Sequence, residues 1–118
     1  MDEVLELAAK LSKALARSKR FTDLRSAESA VMADETAVSL IKTREELTIA
    51  MRKKEADGSP IEPEEKRALA AADEAVKTNS LLSDLNRTQA DFQEMLFLVN
   101  QEITSALEPA QEEPPAEQ

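Results

Sequence analysis

The stretch Asn79–Leu107, NSLLSDLNRTQADFQEMLFLVNQEITSAL, decides the reading of the whole chain. Leu85, Phe92, Val99 and Ala106 recur every seven residues. Leu82, Leu96 and Ile103 stand three positions before members of that row, and Leu81 and Met95 stand four before. These offsets draw one apolar stripe along a helix and turn Asp84, Arg87, Asp91, Glu94, Gln101 and Glu102 away from it. A stripe of that length is unstable in water. The remaining helices are therefore expected to cover it.

The rest of the composition supports helices. The chain of 118 residues holds one glycine and three aromatic residues, all phenylalanine, while Ala, Leu, Glu and Lys dominate. Its size suits a single domain with a thin core, so self-association is the default expectation. The net charge of −9 is uneven, at +1 over residues 1–56 and −10 over residues 57–118. An acidic second half opposes non-specific attraction to nucleic acid or anionic membrane. The N-terminal MDEVLELAAK is acidic and lacks the apolar core of a signal peptide, and no apolar run approaches the ~20 residues of a membrane span. A cytoplasmic protein is expected.

Working outward in chain order, residues 2–17 read as a first helix with Val4, Leu7, Ala8, Leu11, Ala14 and Leu15 on its buried face. Lys10, Lys13 and Arg17 follow on a neighbouring face, and Lys19 and Arg20 continue the basic cluster. That cluster reads either as a contact for RNA phosphates or an acidic partner, or as a solvated face near a helix C-terminus. Ser18 caps a second helix to about Met32, with Phe21, Leu24, Ala27, Ala30 and Val31 inward. Asp34 caps a third, from Glu35 to about Ala56, whose seam holds Ala37, Leu40, Ile41, Leu47, Ala50 and Met51. Arg44 interrupts that seam, either pairing with a carboxylate across it or laying its stem along it. The only glycine, Gly58, stands past a helix end, where a left-handed residue is needed, and Pro63 suits a helix start. The short connection predicts an antiparallel hairpin with a fourth helix, Glu64 to about Thr78, bearing Leu69, Ala72 and Val76 inward. Thr78-Asn79-Ser80 predicts a break before the long fifth helix, with one kinked rod the alternative. From Glu108 onward, EPAQEEPPAEQ is acidic, proline-rich and expected to be disordered. The fold class is thus all-α: a helical bundle of about five helices over residues 1–107, built on a long antiparallel hairpin with coiled-coil-like packing.

Catalytic chemistry lacks its residues. No His, Cys, Tyr or Trp occurs, which removes histidine base catalysis, cysteine nucleophiles, thiolate metal sites and Glu-x-x-His di-metal bundles. A single glycine cannot build a phosphate-cradling loop. The pairs Glu45-Glu46, Glu64-Glu65 and Glu112-Glu113 are sequence neighbours, which on a helix do not face each other. No enzyme, cofactor or metal site is expected. Asn100, at the margin of the long stripe, either sets register and partner choice or faces water.

Laid out in this way, the chain resembles the YlbF/YmcA family of small helical regulators of Gram-positive bacteria. The likeness rests on the Leu5–Ala8–Leu11 helix leading into Ser18-Lys19-Arg20-Phe21 and on the Ala27-Glu28 helix. It continues through Asp34-Glu35 before Leu40-Ile41, the Gly58/Pro60 turn, Asn79 before the last helix and Val99-Asn100-Gln101-Glu102-Ile103 near its end. It spans about residues 2–107. The resemblance implies a helical bundle around an antiparallel hairpin, often dimeric or larger, without enzymatic activity. It also implies a regulatory subunit that joins paralogues in complexes influencing competence, sporulation and biofilm formation and assisting an endoribonuclease in mRNA processing. Some such complexes are associated with iron–sulfur clusters; a chain without cysteine cannot supply their thiolates.

The expected function is therefore a non-catalytic adaptor acting through helix faces, as a homodimer or larger homo-oligomer, with paralogous regulators and a ribonuclease complex as further partners. Leu40, Leu47, Met51, Phe92, Leu96, Val99 and Ile103 are the candidate interface residues, with intrachain core the competing role, and Asn100 the candidate specificity residue. An RNA-binding accessory using Lys10, Lys13, Arg17, Lys19 and Arg20 is the second reading. The missing Tyr and Trp and the net negative charge count against it.

Overall fold

The computed structural model describes residues 2–109. The acidic tail expected over residues 108–118 lies outside them beyond Pro109. Five helices follow one another: α1 (Glu3–Arg17), α2 (Lys19–Met32), α3 (Glu35–Asp57), α4 (Pro63–Thr78) and α5 (Ser80–Leu107).

Polar side chains set the boundaries. Asp2 accepts the Val4 N–H at 3.0 Å and starts α1. Ser18 serves two helices, because its hydroxyl donates to the Leu15 carbonyl at 2.7 Å and accepts the Phe21 N–H at 3.2 Å. It ends α1 and starts α2 in one residue. Asp34 accepts the Ala37 N–H at 2.8 Å at the start of α3. Gly58 closes α3 with φ of 74°, and the Ser59 N–H returns to the Lys54 carbonyl at 2.9 Å, satisfying an end carbonyl of the helix. Pro63 opens α4, where the Glu65 side chain accepts the Glu62 N–H at 2.8 Å. Asn79 separates α4 from α5: its N–H reaches Val76, and its side chain accepts the Leu82 N–H at 3.0 Å. The two helices are separate, as the polar triplet predicts.

Two antiparallel pairings carry the fold. α3 and α4 form the expected hairpin, stitched by Arg44–Asp73 at 3.5 Å and Lys54–Glu65 at 2.6 Å. Arg44 therefore takes the ion-pairing alternative, with half its side chain exposed. α2 lies along the first part of α5, with Phe21 against Phe92, ring centroids 5.1 Å apart, and the Arg25 guanidinium over the Phe21 ring. α4 and α2 connect the pairs, so that Val31, Ala37 and Leu82 meet in the core with Leu40, Val76, Leu81 and Leu85 around them. The buried Thr88 donates its hydroxyl back to the Asp84 and Leu85 carbonyls, so its oxygen costs little inside.

The core is thin. Among the described residues the buried apolar side chains are Ala27, Val31, Ala37, Ala72 and Leu82, of which three are alanines. The radius of gyration of 21.4 Å exceeds the ~13–14 Å of a compact chain of this size. One expectation fails here: α1 contains no buried residue, and Val4, Leu7 and Leu11 lie open. α1 packs to an appreciable extent only on α2, because Ser18 breaks the rod and sends α1 away from the body. A second correction concerns the long stripe. It is covered from Leu82 to about Phe92, but Leu96 and Ile103 are 36% and 48% exposed. α2 begins at Lys19, at the level of Phe92, and beyond that level α5 has little cover among the described residues.

Candidate partner interface

The apolar surface that α1 and α5 leave open is the candidate site. Phe21 and Phe92 hold the start of α2 against α5, and the Arg20 guanidinium donates to the Asp91 carbonyl at 3.0 Å with Glu94 at 3.4 Å. From this junction α1 and the second half of α5 both depart with little packing between them. Each leaves most of its apolar side chains uncovered within the chain.

The candidate residues fall into separate places. Leu40 packs on the core cluster and Phe92 on Phe21, so both contribute to intrachain packing. Leu47 and Met51 are half-buried on α3. Leu96, Val99 and Ile103 share the open part of α5, where Val99 is half-buried and the other two more exposed. Asn100 lies exposed beside them. Of the basic cluster, Lys10, Lys13 and Arg17 are exposed on α1 and make no ion pair among the described residues, whereas Lys19 pairs with Asp23 at 2.8 Å and Arg20 is committed to α5. The five cations therefore do not act as one row.

Phe97 and Leu98 were not singled out by the stripe, yet they are 60% and 50% exposed. The signal was present in Met95-Leu96-Phe97-Leu98-Val99, five consecutive large apolar residues on a helix. No single neighbour covers a helix that is apolar all round. A different opening, a groove of about 680 Å³, lies between α3 and α5 and is lined by Ile41, Ile49, Arg52, Val76, Leu85 and Asn86. Its rim is polar and it is wide open to solvent.

Electrostatic perturbation is slight and lies away from these faces. A hydrogen bond from Lys54 holds the Glu65 carboxyl below its usual range, helped by the Glu62 N–H. The Asp84 carboxylate raises the Arg87 guanidinium further. Among the described residues no group of three or more acidic side chains comes together to hold a metal, and no helix is long and apolar enough to cross a membrane.

A model of the family described as control of competence regulator ComK, YlbF/YmcA, matches residues 4–108. The chain belongs to the YlbF/YmcA family. A UPF0342 protein of Alkalihalophilus pseudofirmus is 29% identical over 108 residues, covering 92% of each chain. Another, from Desulfitobacterium hafniense, is 29% identical over 105 residues, covering 89% of this chain and 80% of the relative. The fold recurs in a protein of unknown function (DUF964) from Bacillus stearothermophilus, with a TM-score of 0.72 and 23% identity over 95% of this chain and 98% of the other. It recurs also in Bacillus subtilis RicA, solved in complex with RicF, with a TM-score of 0.79 and 19% identity over 88% and 92% of the two chains. Membership in the YlbF/YmcA family agrees with the all-helical architecture and with the resemblance carried by residues 2–107.

Proposed function

We propose that this YlbF/YmcA-family protein is a non-catalytic, cytoplasmic regulatory adaptor that works by offering helix faces to other protein chains. The observation that carries the reading is the apolar surface left open on α1 and on α5 after Met95, in a chain whose own core is mostly alanine. Monomeric proteins rarely expose so much contiguous apolar surface without a partner for it. Leu96, Val99 and Ile103 are the contact residues of this proposal, with Asn100 beside them as the residue that tunes partner choice. Leu47 and Met51 form a lesser face on α3. The solved complex of RicA with RicF supports a partner of the same helical kind. Self-association, paralogous regulators and, through them, a ribonuclease complex are the partners proposed.

The test is affinity purification of the tagged full-length protein from its own host at native expression, read by mass spectrometry, with an Ile103→Asp variant in parallel. Recovery of a helical paralogue or a ribonuclease by the parent protein, and its loss from the variant, is the expected result. Equal recovery by both proteins would remove the α5 face from the interface. Recovery of the protein alone would overturn the role in paralogue and ribonuclease complexes.

A further inference from the structure

We infer that Asp57-Gly58, at the end of α3, is a site of spontaneous aspartate isomerisation, where the side-chain carboxyl closes on the backbone and reopens as isoaspartate. The inference is independent of the adaptor reading above. Seven aspartates occur in the chain, and only Asp57 is followed by glycine; Asp2, Asp23, Asp34, Asp73, Asp84 and Asp91 precede Glu, Leu, Glu, Glu, Leu and Phe. The carboxylates of those six are also occupied. Asp2 and Asp34 accept the backbone N–H groups of Val4 and Ala37, Asp23 pairs with Lys19, Asp73 with Arg44, and Asp84 and Asp91 with Arg87. Among the described residues the exposed Asp57 carboxylate has no ion-pair partner, so it is free to turn toward its own main chain.

The reaction needs only water and the chain itself. The Gly58 nitrogen attacks the Asp57 Cγ, and the new N–Cγ bond closes a five-membered succinimide. One carboxyl oxygen leaves as water, taking the amide proton and the carboxyl proton. Water then opens the ring at either carbonyl. Attack at Cγ breaks the new bond and restores aspartate. Attack at the main-chain carbonyl breaks the original peptide bond instead and leaves isoaspartate, with the chain running through Cβ and Cγ and the α-carboxyl set free. Nothing is oxidised or reduced, and the water lost in the first step is regained in the second.

Backbone position decides whether that ring can close. A residue inside a helix is held at helical ψ, with the following N–H bonded to a carbonyl one turn back, and Asp23, Asp73, Asp84 and Asp91 all lie inside helices. Asp57 is the last residue of α3, where a helix frays. The Gly58 N–H reaches the Glu55 carbonyl at 3.2 Å, the long end of the range for such a bond. Apart from its chain neighbours, nothing lies within 4 Å of the place a Cβ would take at Gly58, so the turn has room to rotate. The residue supplying the nitrogen has no side chain to obstruct the attack. The product lengthens the main chain by one carbon between the Asp57 Cα and the Gly58 nitrogen. That takes the Gly58 and Ser59 N–H groups out of register with the Glu55 and Lys54 carbonyls, and the cap of α3 is lost beside the Lys54–Glu65 contact to α4.

The test ages the folded full-length protein in heavy-oxygen water near neutral pH and at physiological temperature. Electron-transfer mass spectrometry then locates isoaspartate, and a protein isoaspartyl methyltransferase with labelled S-adenosylmethionine counts it. Asp57 should gain isoaspartate about tenfold faster than any of the other six aspartates, because only its ring closes on the nitrogen of a glycine. Each passage through the succinimide should also leave one heavy oxygen at Asp57, including in chains that return to aspartate. Asp57→Glu, an exposed change that a five-membered ring cannot use, should lose the methyl acceptance while its circular dichroism matches the parent. Isoaspartate no more frequent at Asp57 than at Asp34, or methyl acceptance kept by the variant, would overturn the assignment. So would isoaspartate that forms only in denaturant, since the helix end would then be holding the site shut. The aged isoform, separated by ion exchange, should unfold at a lower urea concentration than the fresh protein. An equal midpoint would refute the loss of the α3 cap.

Discussion

The two halves of α5 carry the same apolar period and meet opposite fates. Leu82, Leu85 and Phe92 stand against α2, α4 and the core, while Leu96 and Ile103 continue the same stripe into the open. The seven-residue period by itself does not separate them. What separates them is the neighbour: α2 is 14 residues long and starts level with Phe92, and the chain before it turns away at Ser18. An apolar period states that a face needs cover. It does not state whether the cover comes from the same chain.

That contrast can be broken most directly at Phe92, where the covered half ends. Phe92→Asp removes the ring packed on Phe21 and places a charge in that contact, at a cost of about 3 kcal/mol or more. Circular dichroism and chemical denaturation should show loss of helicity or of assembly; a variant as stable and as assembled as the parent would mean that the α2–α5 contact carries no weight. A matched pair of truncations sharpens the comparison. Leu82→Ala, at a site 6% exposed, should cost about 2–4 kcal/mol in urea unfolding of dilute protein. Ile103→Ala under the same conditions should cost markedly less, about 1 kcal/mol, because about half of the residue is already exposed within the chain. Equal costs would erase the distinction between the halves.

A smaller effect is expected at the start of the covered half. Asn79→Ala removes the side chain that accepts the Leu82 N–H and should lower stability by about 1 kcal/mol, measured as a shift in the denaturation midpoint. An unchanged midpoint would show that packing alone orients α5 there. The smallest effect lies in the α3–α4 hairpin, remote from both halves. Glu65 has its folded pKa lowered by the Lys54 hydrogen bond, so its contribution is present above the unfolded carboxylate pKa of about 4.3 and is lost as pH falls through the lower folded value. Lys54→Met should flatten that part of the acid stability profile. An identical profile in the variant would assign the loss to other carboxylates.

The helix boundaries were legible because each rests on a local interaction. Ser18, Asp34, Gly58 and Asn79 act through their own backbone neighbours, and those neighbours are visible in the sequence. The inward residues of α2 and α4 were legible for a related reason, since both helices are enclosed enough that their apolar faces have one place to go. α1 was misread as a buried helix because its amphipathic pattern is strong and the pattern carries no direction in space. Phe97 and Leu98 were passed over because the search followed one stripe, whereas the run Met95–Val99 belongs to several faces at once.

By itself, the sequence determined the number of helices, their ends, the hairpin at Gly58, the break at Asn79 and the absence of His, Cys, Tyr and Trp. These depend on residues within about a turn of one another, or on composition alone. Only the tertiary structure decided which apolar residues are spent inside the chain and which remain for another. That division depends on where α2 begins relative to α5 and on the direction α1 takes from Ser18. Both are set by packing between segments some 70 residues apart, such as Arg20 on Asp91, which no local pattern records.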